Sequence, residues 1–185
     1  SHLEVTWVYI INKEYNAMNI RAESPLDIEQ IESLTYAAFE NHPHHEPGAK
    51  PTEHLIVNKL RESNALTISL VCEDDSQLVG HIAFSPVRIN GKESQWCGLG
   101  PVSVIPSQQG KGIGHALIEQ GIVQAQELGF KGVVLLGEPE YYTRFGFTPS
   151  PKLTLDGVPP EFFLVKALEG EIPSGEVSYH PAFFE

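Results

Sequence analysis

Val102-Ser103-Val104-Ile105-Pro106-Ser107-Gln108-Gln109-Gly110-Lys111-Gly112-Ile113-Gly114-His115-Ala116-Leu117 is the stretch on which the reading of this chain turns. A strand ends, a polar glycine-rich loop follows, and a helix opens immediately. Closely spaced glycines let backbone N–H groups converge on one concavity, and a helix start adds partial positive charge. Such a loop is suited to a phosphate or diphosphate. Two nucleotide readings fail on residue identity. A Walker A loop needs Lys followed by Ser or Thr, whereas Gly112 follows Lys111 and Ile105 stands where its first Gly belongs. A dinucleotide fingerprint needs GxGxxG after the first strand of a βαβ unit. Here Leu117 replaces the third Gly, and the preceding strand closes an antiparallel meander.

Outward from the loop, Leu117, Ile118, Ile122, Ala125 and Leu128 recur at helical spacing, with Glu119, Gln120, Gln124 and Glu127 on the other side, and Gly129 ends the helix. Gly132 to Gly137 is a short apolar run of the kind buried on both faces. Upstream, Leu66, Ile68, Leu70 and Cys72 alternate with Thr67, Ser69, Val71 and Glu73, which predicts a strand with one buried face. A second strand from Leu78 reaches Asn90-Gly91, a strong hairpin signal, and a third returns over 95–105 with Trp96 and Cys97 as packing residues at its start. Nearer the N-terminus, a strand from Asn19 runs into Ser24-Pro25-Leu26-Asp27, an N-cap with Pro at the first helical position. Ile28, Ile31, Leu34 and Ala38 continue that helix. Asn41 to Gly48 reads as loop, and 51–61 as a second helix. The Pro-rich segment 148–160 is expected to be a surface excursion before a last strand, 162–168. The order predicts one α+β domain over 18–185. Residues 1–17, opening with Ser1-His2, are read as a tag remnant or upstream extension.

With 185 residues and 41% hydrophobic content the chain is of ordinary domain size. Twelve Lys and Arg against 24 Asp and Glu give a net charge of −12, which disfavours nucleic acid, whose affinity for proteins rests on Lys and Arg, and welcomes cationic substrates. Cys72 and Cys97 lie in apolar runs and are expected to be buried thiols in a reducing, cytoplasmic compartment. Leu3 to Ile11 is too short to span a bilayer and lacks a basic flank, so no membrane association is expected. His42, His44, His45 and Glu46 lack helical ligand spacing and are broken by prolines. They read as a solvated loop, with no metal.

The QxxGxG spacing of Gln109-Gly110-Lys111-Gly112-Ile113-Gly114 resembles the acetyl-CoA loop of GCN5-related N-acetyltransferases, the GNAT superfamily. Downstream, Tyr141-Tyr142-Thr143-Arg144-Phe145-Gly146-Phe147 resembles that family's YxxxGF segment, with Tyr142 in the Tyr position. The wording from Gly137 onward is similar to its YhbS-like branch. The resemblance implies a central mixed, mostly antiparallel sheet, splayed near Val104 and flanked by helices on both faces. It implies acetyl-CoA as acyl donor, with main-chain groups of Val102 and Val104 pairing with the pantetheine arm. The amides of Gln109, Gly110, Lys111, Gly112, Ile113 and Gly114 would hold the diphosphate, and Lys111 would add charge where the family more often has Arg at the position of Gln109. Tyr142 would hydrogen-bond or protonate the departing thiolate. The expected reaction is direct attack by an amine of a small molecule or protein. A lysine-like amine is only about 0.04% neutral at pH 7, so a base or a desolvating pocket is required. Glu40, Glu46, Glu138, the histidines at 42–45 and a water chain all remain eligible. The rival reading is a non-catalytic acyl-CoA sensor. Either a monomer or a homodimer is compatible with the sequence.

Overall fold

In the computed structural model, which describes residues 18–40 and 48–184, the Ser24 signal opens a helix as expected. Asp27 Oδ2 accepts the Ser24 N–H at 2.7 Å, closing one turn of 3-10 helix before α1 (Ile28–Phe39). Asp27 also receives two bonds from the Arg21 guanidinium, at 2.7 and 2.9 Å, and Arg21 reaches Glu73. Strand β1 (Met18–Ala22) is thereby tied to α1 and to β2 (Ile68–Asp74), while α2 (Glu53–Glu62) lies between α1 and β2 in the chain.

The meander continues through β3 (Gln77–Ile89) and β4 (Lys92–Val104), joined at Asn90-Gly91, both with positive φ. Helix α3 (Ile113–Glu127) leads to β5 (Gly132–Leu136), and a short α4 (Pro139–Tyr142) follows. Strands β6 (Leu153–Thr154), β7 (Phe163–Ala167) and β8 (Gly175–Ser178) complete the sheet. The main order is β1-β2-β3-β4-β5-β7, antiparallel except for the parallel β4–β5 pair.

Both faces of the sheet are covered. Leu70, Cys72, Ile82 and Phe84 pack with Ile113 and Leu117 of α3, whereas Val71 points the other way, against Ile31, Leu34 and Val57 of α1 and α2. The single buried face expected for β2 is thus corrected: a helical layer on each side buries Val71 too. Leu128 is 55% exposed and Leu136 49% exposed, against their expected burial, because α3 ends at Glu127 and leaves Leu128 at its C-cap, and β5 loses its β4 partner before Leu136. The segment 148–160 is no mere excursion. Leu153 is buried beside Val87, Trp96 and Val177, and β6 pairs in parallel with β8, a strand beyond the expected last one. Trp96 and Cys97 are buried as expected, although β4 begins earlier, at Lys92. The expectations for residues 1–17 lie outside the described residues.

Close packing at α3 gives a direct test. A Cβ on Gly121 would stand 2.4 Å from the Phe84 ring. Gly121→Ala is expected to cost about 1–3 kcal/mol by overpacking, lowering Tm by roughly 2–10 °C.

Acid sensitivity has an identifiable source. His81 is fully buried, with Nε2 2.8 Å from Ser69 Oγ. Ser69 gives its hydroxyl proton to Glu23, so it accepts from His81 Nε2, and Glu23 is in turn held by Arg61 at 2.8 and 2.9 Å. Burial pushes His81 down to about 4 from 6.5, and the Arg21 bonds hold Asp27 at about 2 against 3.8. Below pH 6.5 the unfolded chain binds a proton that folded His81 refuses until about 4, so stability falls across that window. Asp27 contributes its stability above 3.8 and loses it as pH falls toward 2, about 2 kcal/mol in all. Thermal unfolding against pH should decline in both windows. His81→Gln should flatten the upper one and Asp27→Asn the lower.

Candidate active site

Strands β4 and β5 pair only at Trp96↔Gly132, Cys97↔Val133 and Gly98↔Val134. Beyond Gly98 they part, at Gly100-Pro101, where the proline has no N–H to offer a ladder. The splay therefore opens earlier along β4 than Val104, a correction to its expected place. On the other side β4 stays paired with β3, and Ile105 N–H donates to Val79 O at 2.9 Å. Peptide groups alternate in direction along a strand. Those of Ser103 and Ile105 thus serve β3, and those of Val102 and Val104 face the parting. Gln109 marks that side: its Nε2 donates to Val104 O at 3.0 Å. Nothing in the sequence signalled this bond, because it depends on how the loop folds back on the strand end.

The loop itself is shaped by backbone conformation. Gly110 and Gly112 have φ of +79° and +85°, and a Cβ on either would meet nothing within 4 Å. Their glycines are required by the chain path, not by packing, and the space above them is open. Gly112 is the N-cap of α3 and no side chain caps that end. The first N–H groups of the helix consequently have no intrahelical acceptor. Anion binding by amides needs no lysine, and Lys111 instead donates to Gln108 Oε1 at 3.2 Å, exposed. These observations fit a diphosphate at Gln109–Gly114 and an amide-bearing arm along Val102–Val104.

Tyr142 lies at the end of α4, with Tyr141, Phe145 and Phe147 around its ring. A Cβ on Gly137 would stand 2.4 Å from that ring, so the residue that follows β5 is small enough to let Tyr142 close over the strand end. Burial, then the neighbouring Tyr141, push the Tyr142 phenol up to about 12. It remains a hydrogen-bond donor at neutral pH. His115 of α3 lies 4.7 Å from the Phe145 ring, which brings the two sequence motifs together. Among the candidate bases, Glu40 is exposed after α1 and Glu138 is exposed before α4. His42, His44, His45 and Glu46 lie outside the described residues. Among the described residues no group of three His, Cys, Asp or Glu side chains could hold a metal, and no helix is long and apolar enough to cross a membrane.

The chain belongs to the acetyltransferase (GNAT) family, whose pattern matches residues 27–147. It is 38% identical over 131 residues to the uncharacterized N-acetyltransferase YhbS of Escherichia coli K12, covering 70% of this chain and 73% of the relative. A GNAT family acetyltransferase from Brucella melitensis, solved with acetyl-CoA, superposes with a TM-score of 0.79 at 45% identity, over 90% of this chain and 97% of the other. Escherichia coli YhbS, solved with CoA, superposes with a TM-score of 0.81 at 33% identity, over 91% of this chain and 93% of the other.

Proposed function

We propose that this acetyltransferase moves the acetyl group of acetyl-CoA to a primary amine by direct attack, with no acyl-enzyme. The parting of β4 from β5 carries the reading, because it exposes the peptide groups of Val102 and Val104 next to an uncapped helix start. The Brucella relative, solved with acetyl-CoA, supports the choice of donor. When bound, acetyl-CoA supplies an activated thioester. The chain's own groups do the rest. Amides of Gln109, Gly110, Lys111, Gly112, Ile113 and Gly114 hold the diphosphate, which a protein of net charge −12 binds through dipoles rather than side-chain cations. Val102 and Val104 offer strand-like bonds to the pantetheine arm, the Gln109 side chain giving up Val104 O as they form. The Val104 N–H polarises the reacting carbonyl.

Tyr142 acts on the leaving sulfur. A phenol at about 12 does not surrender its proton fully to a thiolate whose conjugate acid lies near 8.5. Its role is therefore hydrogen-bond donation to the sulfur. Direct attack is supported by the two thiols: Cys72 and Cys97 are buried, and burial raises both, Cys97 to about 12. Neither is ionised to accept an acyl group. Initial rates with acetyl-CoA and an amine both varied test the mechanism. Intersecting lines are expected; parallel lines would mean a covalent intermediate. Acetyl-CoA binding without CoA release to any amine would return the chain to the sensor reading.

A further inference from the structure

The parting of β4 from β5 opens on its far side into a cavity of about 570 Å³. Leu99, Gly100 and Pro101 meet Leu136 across it, so a nitrogen held there faces the same gap as the Val102 and Val104 peptides. Phe39 and Ile56 come from the two N-terminal helices, and Leu155 from the segment after β6. That wall is carbon. Among the described residues lining it, the only charged side chains are carboxylates, Glu53 and Asp156. Glu53 also receives the Thr52 N–H at 2.9 Å, and Asp156 is exposed.

We infer that the acceptor is a small primary amine with one cationic end and an apolar, ring-sized or alkyl body. The inference rests on the acetyl-transfer reading and narrows its acceptor. Volume supports it, since pockets of roughly 300–1,000 Å³ take ligands of this size. Charge supports it as well. An anionic substrate would meet two carboxylates and no cation among the lining residues. A polyamine would have to strip water from several ammonium groups against a wall able to compensate few of them. The overall acidity of the chain favours any cation, whereas the cavity asks for a single charge on an apolar body. In the reaction, the ammonium first loses a proton. The neutral nitrogen then bonds to the acetyl carbon, the carbon–sulfur bond breaks, and CoA departs as thiolate. Of the two protons lost by nitrogen, one ends on the sulfur and one in solvent, leaving an N-alkyl acetamide and CoA thiol.

The test measures CoA release from acetyl-CoA with 2-phenethylamine, hexylamine, ethylamine, spermidine and a lysine-bearing peptide. Binding of 2-phenethylamine without donor, and of acetyl-CoA without amine, is measured on the same protein. For phenethylamine and hexylamine kcat/KM is expected at least ten-fold above spermidine and ethylamine. Leu155→Lys should remove most of that preference while leaving acetyl-CoA affinity unchanged. Leu136→Lys, at a half-exposed position that tolerates charge, repeats the test should Leu155→Lys not fold. Preference for spermidine or the peptide, or rates indifferent to the apolar body, overturns the inference while acetyl-CoA binding keeps the transferase reading. Phenethylamine binding lost in the lysine variants, with no acetyl-CoA binding, sinks the transferase reading and leaves the cavity assignment standing. Binding of neither overturns both.

Discussion

Tyr142→Phe is expected to lower kcat about 100-fold, the scale of losing one aligned donor to developing charge, while the dissociation constants for CoA and acetyl-CoA stay within about two-fold. The ring itself is held by Gly137, Tyr141, Phe145 and Phe147, so phenylalanine keeps the packing and only the hydroxyl is removed. Because the phenol is pushed up to about 12, wild-type kcat should show no falling limb from Tyr142 ionisation below pH 10. Steady-state rates and equilibrium titration separate the two constants. A kcat within three-fold of wild type would reduce Tyr142 to core packing. A parallel loss of CoA affinity would mean that the aromatic cluster shapes the donor site rather than the chemical step.

The second large effect belongs to the loop. Gly112→Val is expected to weaken acetyl-CoA by about 10–100-fold, measured by calorimetric titration, with kcat at saturating donor changed far less. A left-handed φ of +85° disfavours any side chain, by roughly 1–2 kcal/mol for ordinary residues and more for a branched one. Relief of that strain rotates the peptide groups at the start of α3 and removes about one amide bond to an anion. Charge-assisted bonds contribute roughly 1.5–3 kcal/mol each, and every 1.4 kcal/mol is about ten-fold in affinity. Lys111→Ala is the contrast: its ammonium rests on Gln108 in the exposed loop, so its removal should weaken binding only a few-fold. Equal losses in the two variants would shift the anion's anchor from the amides to the lysine.

Much of this architecture is legible in the sequence, wherever the signal is local. The Ser24–Asp27 cap, the Asn90-Gly91 hairpin and the run from Val102 through α3 each depend on a few adjacent residues. The later strands are different. Strand β8 has four residues with one buried side chain, Val177, and its partners in β3 and β6 are remote in sequence, so neither periodicity nor turn chemistry announces it. Leu136 reads as core because its run is wholly apolar, yet its burial depended on a β4 neighbour that has already turned away. The same parting explains the site. The glycine loop and Tyr142 are carried by motifs, whereas the bond from Gln109 to Val104 and the cavity behind Leu99 arise from where two strands cease to pair. Leu155, Asp156 and Val158 line that cavity from a segment whose sequence suggested only an irregular surface.

Thermal unfolding with and without about 1 mM acetyl-CoA, with ATP and NAD at the same concentration, tests whether the site beside β4 and the start of α3 holds acetyl-CoA. At a dissociation constant near 10 μM the ligand stabilises the fold by about 2.7 kcal/mol, which raises Tm by roughly 5–10 °C for a chain of this length. That rise is expected with acetyl-CoA and none with ATP or NAD. No rise with acetyl-CoA, or an equal rise with ATP, would contradict that assignment.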